Sequence, residues 1–122
     1  MQDSYRRRGL VALALLGFVV ASEAHAADYA PLNCAKAASD AERAICSDYG
    51  LGQSEARVAT LYGLATSLVA MGQRGAIQDD QRTFLLRRNA CGSNTTCIRN
   101  VYAAREAQLE AIMTQIQQRG PF

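Results

Sequence analysis

The sequence predicts an all-α protein, a small helical bundle of about three to four helices stapled by two disulfides. Three observations point there. Apolar residues recur at steps of three and four over most of the chain after residue 40, and no stretch alternates convincingly with period two. The chain has only 122 residues, which limits it to one small domain with a modest core. It also carries four cysteines, an even number that in a short exported chain reads as a disulfide framework.

Export is expected from the N-terminus. Arg6, Arg7 and Arg8 precede the uncharged run LVALALLGFVVA at 10–21, and Ala24-His25-Ala26 follows. That basic, apolar, small-residue order is that of a secretory signal peptide over residues 1–26, with Arg6-Arg7 leaving general and twin-arginine export both open. The apolar run falls short of the roughly 20 residues a membrane-spanning helix needs, so no membrane anchor is expected after cleavage. Residues 27–122 then form the single domain, in the periplasm or secreted. Removing three arginines and two acids from 13 basic and 11 acidic residues leaves a net charge near +1. Such a balance supplies no electrostatic footprint for nucleic acid or an anionic membrane.

The helices follow in order. Ser39 with Glu42 three residues on is a capping box for a short helix from about Asp40 to Cys46. Leu51, Val58, Leu61, Tyr62, Ala65, Leu68 and Val69 suit one long helix ending near Gly72, with GQRG at 72–75 as the break. A third helix is expected from about Ala76 to Ala90, with Asp79 and Asp80 in its first turns favouring the positive end of the dipole. A fourth opens at Thr96 or Cys97, shows Ile98, Val101, Tyr102, Leu109, Ile112, Met113 and Ile116 on one face, and stops at Gly120-Pro121.

Four cysteines allow three pairings, and spacing alone does not choose among them. The local one, Cys34 with Cys46 and Cys91 with Cys97, is the expectation here because Gly92-Ser93-Asn94 is turn chemistry that lets the chain reverse between the last two. As uninterrupted helix, the six steps from Cys91 to Cys97 would span roughly 9 Å, too far for a bridge. Asn94-Thr95-Thr96 also matches a glycosylation sequon, a three-residue match that chance often produces.

Two arginines interrupt the apolar seams. The third helix reads inward as Ile77, Gln81, Phe84, Arg88, Cys91, and the fourth as Ile98, Tyr102, Arg105, Leu109, Ile112, Ile116. A guanidinium on such a line must meet a carboxylate or backbone carbonyls, and Glu42 and Glu55 are the expected partners for Arg88 and Arg105. The same arginines could instead edge a groove that takes an acidic partner.

Composition narrows the chemistry. The one histidine, His25, leaves with the signal, so a Ser-His-Asp, Cys-His or Cys/His zinc site is not expected, nor is C-x-x-C redox chemistry. Cysteine pairs in structural zinc sites stand closer together than these. We therefore expect no catalytic residues, no metal and no cofactor.

The stretches NCAKAASDAERAIC, Leu61-Tyr62, QRTFLLRRNAC, GSNTTC and VYAAREAQL resemble the family of LprI-type lysozyme inhibitors over roughly residues 33–112. Its pattern is carried by the four cysteines with Glu42-Arg43-Ala44-Ile45, Gln81, Arg88, Tyr102 and Arg105; Phe84 stands where many members have tryptophan, and Asn89 where aspartate is common. The mycobacterial namesake is a lipoprotein, whereas this chain has no cysteine at the end of its apolar run. The resemblance implies an exported helical domain that binds c-type lysozyme, or another peptidoglycan hydrolase, and blocks its catalytic carboxylates. The binding candidates are then Ser93, Asn94, Thr95 and Thr96 in the stapled loop, with Arg87, Arg88 and Arg99 beside it. The alternative class is an envelope interaction module that binds another protein or a cell-wall fragment without inhibiting lysozyme.

Overall fold

The computed structural model describes residues 31–119; the expected signal over 1–26 and the Gly120-Pro121 stop lie outside the described residues. A 3-10 turn at Cys34–Lys36 leads into α1 (Asp40–Ser47), α2 (Tyr49–Leu68), α3 (Met71–Ala90) and α4 (Thr95–Gln118). No strand occurs among the described residues.

Three of the four helix starts, those of α1, α2 and α4, have a side-chain cap, whereas α3 starts after Ala70 without one. Ser39 Oγ accepts from Glu42 N at 3.1 Å while Glu42 Oε2 accepts from Ser39 N at 3.2 Å, so the capping box forms in full. Asp48 caps α2 through Leu51 N, and Asn94 caps α4 through Cys97 N. These caps satisfy amide donors that a helix start leaves open, at about 1 kcal/mol each.

The boundary between α2 and α3 departs from expectation. The chain leaves helix at Val69-Ala70, and residues 72–75 lie inside α3. Arg74 explains the shift: its Nε donates to Thr66 O at 2.7 Å and its Nη2 to Val69 O at 3.3 Å, closing carbonyls that α2 leaves open at its end. Gly72 and Gly75 therefore sit in a helix at a cost of about 1 kcal/mol each, which this capping and the burial of Val69 and Ile77 offset. Asp79 and Asp80 consequently stand in the third turn of α3 rather than at its positive end, and Asp79 pairs with Arg82 instead.

Packing follows the seams. The buried line of α2 runs Leu51, Glu55, Val58, Tyr62, Ala65, that of α3 Ile77, Gln81, Phe84, Arg88, and that of α4 Ile98, Tyr102, Arg105, Leu109, Ile116. All three advance by alternating fours and threes, with the partly buried Ile112 filling the last step of α4, the pattern of a straight contact stripe in a bundle. The most extensive contact is between α2 and α4. Contacts Glu55–Tyr102 and Arg57–Glu106 advance together, so these two helices run in the same sense. Contacts Cys91–Cys97, Gln81–Arg105 and Gln73–Arg119 advance oppositely, so α3 and α4 are antiparallel. Ala41 and Ile45 of α1 plug the core, and Phe84 meets Tyr102 edge to face with ring centroids 5.0 Å apart.

Both expected disulfides form, Cys34–Cys46 and Cys91–Cys97, with Cα separations of 5.7 and 5.6 Å. Gly92 makes the second one reachable. It is the described residue with positive φ, 56°, and it reverses the chain directly after α3. Closing sequence separations of 12 and 6 residues contributes roughly 2–3 kcal/mol per bridge in the chain-entropy model. Urea denaturation should therefore shift to a distinctly lower midpoint under reducing conditions; coincident curves would show that the staples add no stability.

Candidate functional site

The polar residues on the seams form two networks. In the first, Glu42 Oε1 accepts from Arg88 Nη2 at 3.0 Å, and Arg88 Nε and Nη2 also donate to Asn89 Oδ1 at 3.1 and 3.0 Å. Glu42 Oε2 takes the amides of Ala38 at 2.7 Å and Ser39 at 3.2 Å. Nearby, Tyr102 donates its hydroxyl to Glu55 Oε2, while Glu55 Oε1 accepts from Leu32 N at 3.0 Å. The Arg88 guanidinium also acts on the Tyr102 hydroxyl, which joins the two halves. Two acids, Glu55 buried and Glu42 half-buried, thus grip the N-terminal strap at Leu32 and at Ala38-Ser39, and their common background is Arg88.

Electrostatics agree with that geometry. The backbone amide of Ala38 is the main influence holding Glu42 below the usual carboxylate range; burial opposes it, and the Ser39 amide and Arg88 assist. Burial, reinforced by the Glu55 carboxylate, pushes Tyr102 well above the ordinary tyrosine value, so it remains a donor.

The second network surrounds Arg105, which is 1% exposed. Its Nε donates to Gln81 Oε1 at 2.9 Å, Nη1 to Gln108 Oε1 at 3.3 Å and Nη2 to Ile77 O at 3.1 Å. Neither Glu42 nor Glu55 reaches it, contrary to the expectation of a carboxylate partner from that pair. A backbone carbonyl and two amides take the carboxylate's place. Burial lowers the Arg105 pKa, while the nearby Asp80 charge and Tyr62 act to raise it. Gln81 Nε2 is the buried side-chain polar atom among the described residues that lacks a hydrogen-bond partner.

The residues expected to bind separate into groups. Ser93, Asn94, Thr95 and Thr96 are all exposed at the α3–α4 corner, but the Asn94 side chain is committed to capping α4. Arg99 is exposed and lies 3.6 Å from Asp48 at the α1–α2 junction. Arg87 is exposed on a different face, on the wall of a groove between α3 and α4. Arg88 is 4% exposed and held by Glu42 and Asn89, so it belongs to the interior and cannot face a partner. The arginines beside the loop therefore form no single patch. Sequence reasoning passed over the Glu55–Tyr102 bond, although both residues stand on apolar seams. It allowed for a groove edged by Arg88 or Arg105 without locating it: Arg105 lines one between α3 and α4, Arg88 does not, and Asp80, Asn100, Ala104 and Gln108 of its lining read only as the solvent side of the two helices.

Among the described residues no group of histidine, cysteine, aspartate and glutamate could hold a metal ion, and no helix is long and apolar enough to cross a membrane. Fold and site together define a class: a disulfide-stapled, all-helical domain with a buried ionic network and an exposed, cross-linked corner. Against protein-family models, curated proteins and solved structures, the chain returns no match.

Glu42 supplies a pH test. A carboxyl whose folded pKa is depressed contributes stability that is present above its ordinary value of 4.5 and is lost as pH falls through the folded value. Denaturation midpoints should fall on acidification below that value, and Glu42→Gln should flatten this dependence. At neutral pH the substitution should cost about 2 kcal/mol, because it replaces the charge-assisted Glu42–Arg88 bond with a neutral one. The double variant Glu42→Gln/Arg88→Met should lose less than the two single losses summed. Additive losses would show that the pair does not interact.

Proposed function

We propose that this is an exported binding protein that inhibits lysozyme, docking its α3–α4 corner against the catalytic cleft. The observation that carries the reading is how firmly that corner is fixed. The Cys91–Cys97 bridge, the reversal at Gly92 and the Asn94 cap restrain a turn whose Ser93, Thr95 and Thr96 side chains stay exposed. A pre-ordered polar corner loses little conformational freedom on binding, which is how a small protrusion gains affinity. Arg99 at its flank, exposed and paired with Asp48 at 3.6 Å, can exchange that acid for a carboxylate of the cleft. The resemblance to LprI-type inhibitors supplies the choice of target.

Two further features support a binding role rather than catalysis. The half-buried Glu42 and the buried Glu55 are committed to structural bonds, Glu42 to Arg88 and two amides, Glu55 to Tyr102 and Leu32. Residues 27–122 also lack histidine, the commonest general base. Export to the periplasm or beyond rests on the signal-like N-terminus and is supported by two formed disulfides, which persist in oxidising compartments.

The test is lysis of peptidoglycan by c-type lysozyme with the oxidised protein added in increasing amounts. Dose-dependent inhibition that disappears on reduction is expected. Absence of inhibition at large molar excess would refute the reading and leave an envelope interaction module with another partner. Replacing Ser93, Thr95 and Thr96 with alanine, with Asn94 and both cysteines kept, should weaken inhibition at least roughly ten-fold if the corner forms the centre of the contact. Unchanged inhibition would place the contact elsewhere on the surface.

A further inference from the structure

The groove between α3 and α4 is a different feature from the corner, and it has the makings of a ligand site. It encloses about 300 Å³. That lies at the small end of ligand pockets and suits a body of roughly one or two amino-acid residues. Phe84, Val101 and Ala104 give it an apolar wall, Arg87 stands on its rim, Arg105 lies beneath and Asp80 occupies the far end.

Charge decides what it would take. Among the described arginines, Arg87 alone has no ion pair or side-chain hydrogen bond, whereas Arg43, Arg57, Arg82 and Arg99 each meet an acid. Arg105 forms no salt bridge, and three of its five N–H donors are taken up by neutral acceptors. Asp80 and Arg87 are seven residues apart on one helix face, roughly 10 Å along the axis, so the acid at one end does not cancel the cation at the other. The groove therefore carries two cations against one acid, with the unpaired cation at its mouth.

We infer that the α3–α4 groove binds a small amphipathic carboxylate, with its apolar body against Phe84, Val101 and Ala104 and its carboxylate at Arg87. Arg105 contributes a fixed positive potential from below and is a positioning charge rather than a direct contact. The same chemistry is offered by a free carboxylic acid and by the C-terminus of a peptide that ends in an apolar residue. The site is independent of the corner and of lysozyme binding.

The probe is N-acetyl-leucine, titrated into the 15N-labelled oxidised protein, with N-acetyl-leucinamide as the uncharged control. Amide shifts should centre on Thr83, Phe84, Arg87, Val101 and Ala104, and the amide control should bind roughly ten-fold more weakly. Arg87→Gln should weaken the acid about five-fold, as expected for one exposed charged contact, without affecting the control. Ala104→Glu, at an exposed helical position, should abolish acid binding while leaving the remaining spectrum folded. Tighter binding of Ala-Ala-Leu with a free C-terminus than of N-acetyl-leucine would support the site and mark a peptide end as its ligand; equal binding would support it with a free acid. Equal affinity for acid and amide, shifts centred elsewhere, or no shift at about 20 mM probe would overturn the inference, since such a Kd corresponds to negligible recognition.

Discussion

One buried guanidinium organises this small domain. Arg88 is taken out of water on the inner line of α3, at a cost of several kcal/mol that must be met by partners. Glu42 meets it from α1 and Asn89 from its own helix, and its charge also reaches the Tyr102 hydroxyl on α4. The carboxylate that answers it is the same one that closes the capping box of α1. A surface-type capping motif and the ion pair of a buried arginine are thus one structure, and α1 cannot take another register without breaking both. Glu55 extends the arrangement to α2 and to Leu32.

Stapling and burial divide the labour. The two disulfides fix local turns, one between the N-terminal strap and α1 and one at the α3–α4 reversal. Neither crosses between distant parts of the chain. Long-range order comes instead from the seams of α2, α3 and α4 and from the polar contacts Glu42–Arg88, Glu55–Tyr102 and Gln81–Arg105 across them. Such contacts favour one alignment of the helices, because a shift by a turn would strand a charge among apolar side chains. A domain this small gains specificity from that arrangement even where its net stability gain is modest.

Much of this was legible in the chain, for physical reasons that differ by residue. The Ser39–Glu42 box and the Gly92 reversal are local, so short spacings reveal them. Arg88 was visible as a charge on an apolar line, and Glu42, one of the two acids expected to meet it, is its partner. Arg105 sits on an equivalent line, yet its acceptors are Gln81, Gln108 and a main-chain carbonyl, and amides on a helix face look like ordinary surface residues until the packing is known. The α2–α3 boundary was misplaced because Gly72 and Gly75 weigh toward a break, while the capping contact that outweighs them runs from Arg74 back to Thr66 across the turn. Of the candidate site, the corner was readable from its cysteines. A groove edged by Arg105 was one of the options its seam position left open, but its place and lining were not readable, since they depend on which sides of two antiparallel helices face each other.

The Arg88 network holds the N-terminal strap at both of its anchor points, and native-state hydrogen exchange on Arg88→Met is the measurement that bears on this. Leu32 N–H is bonded to Glu55 and Ala38 N–H to Glu42, six positions apart in the chain and on different acids. Both amides should lose protection together in the variant, relative to amides in the middle of α4 such as Leu109. Loss at Ala38 with unchanged protection at Leu32 would contradict it, and would show two independent clasps instead of one network.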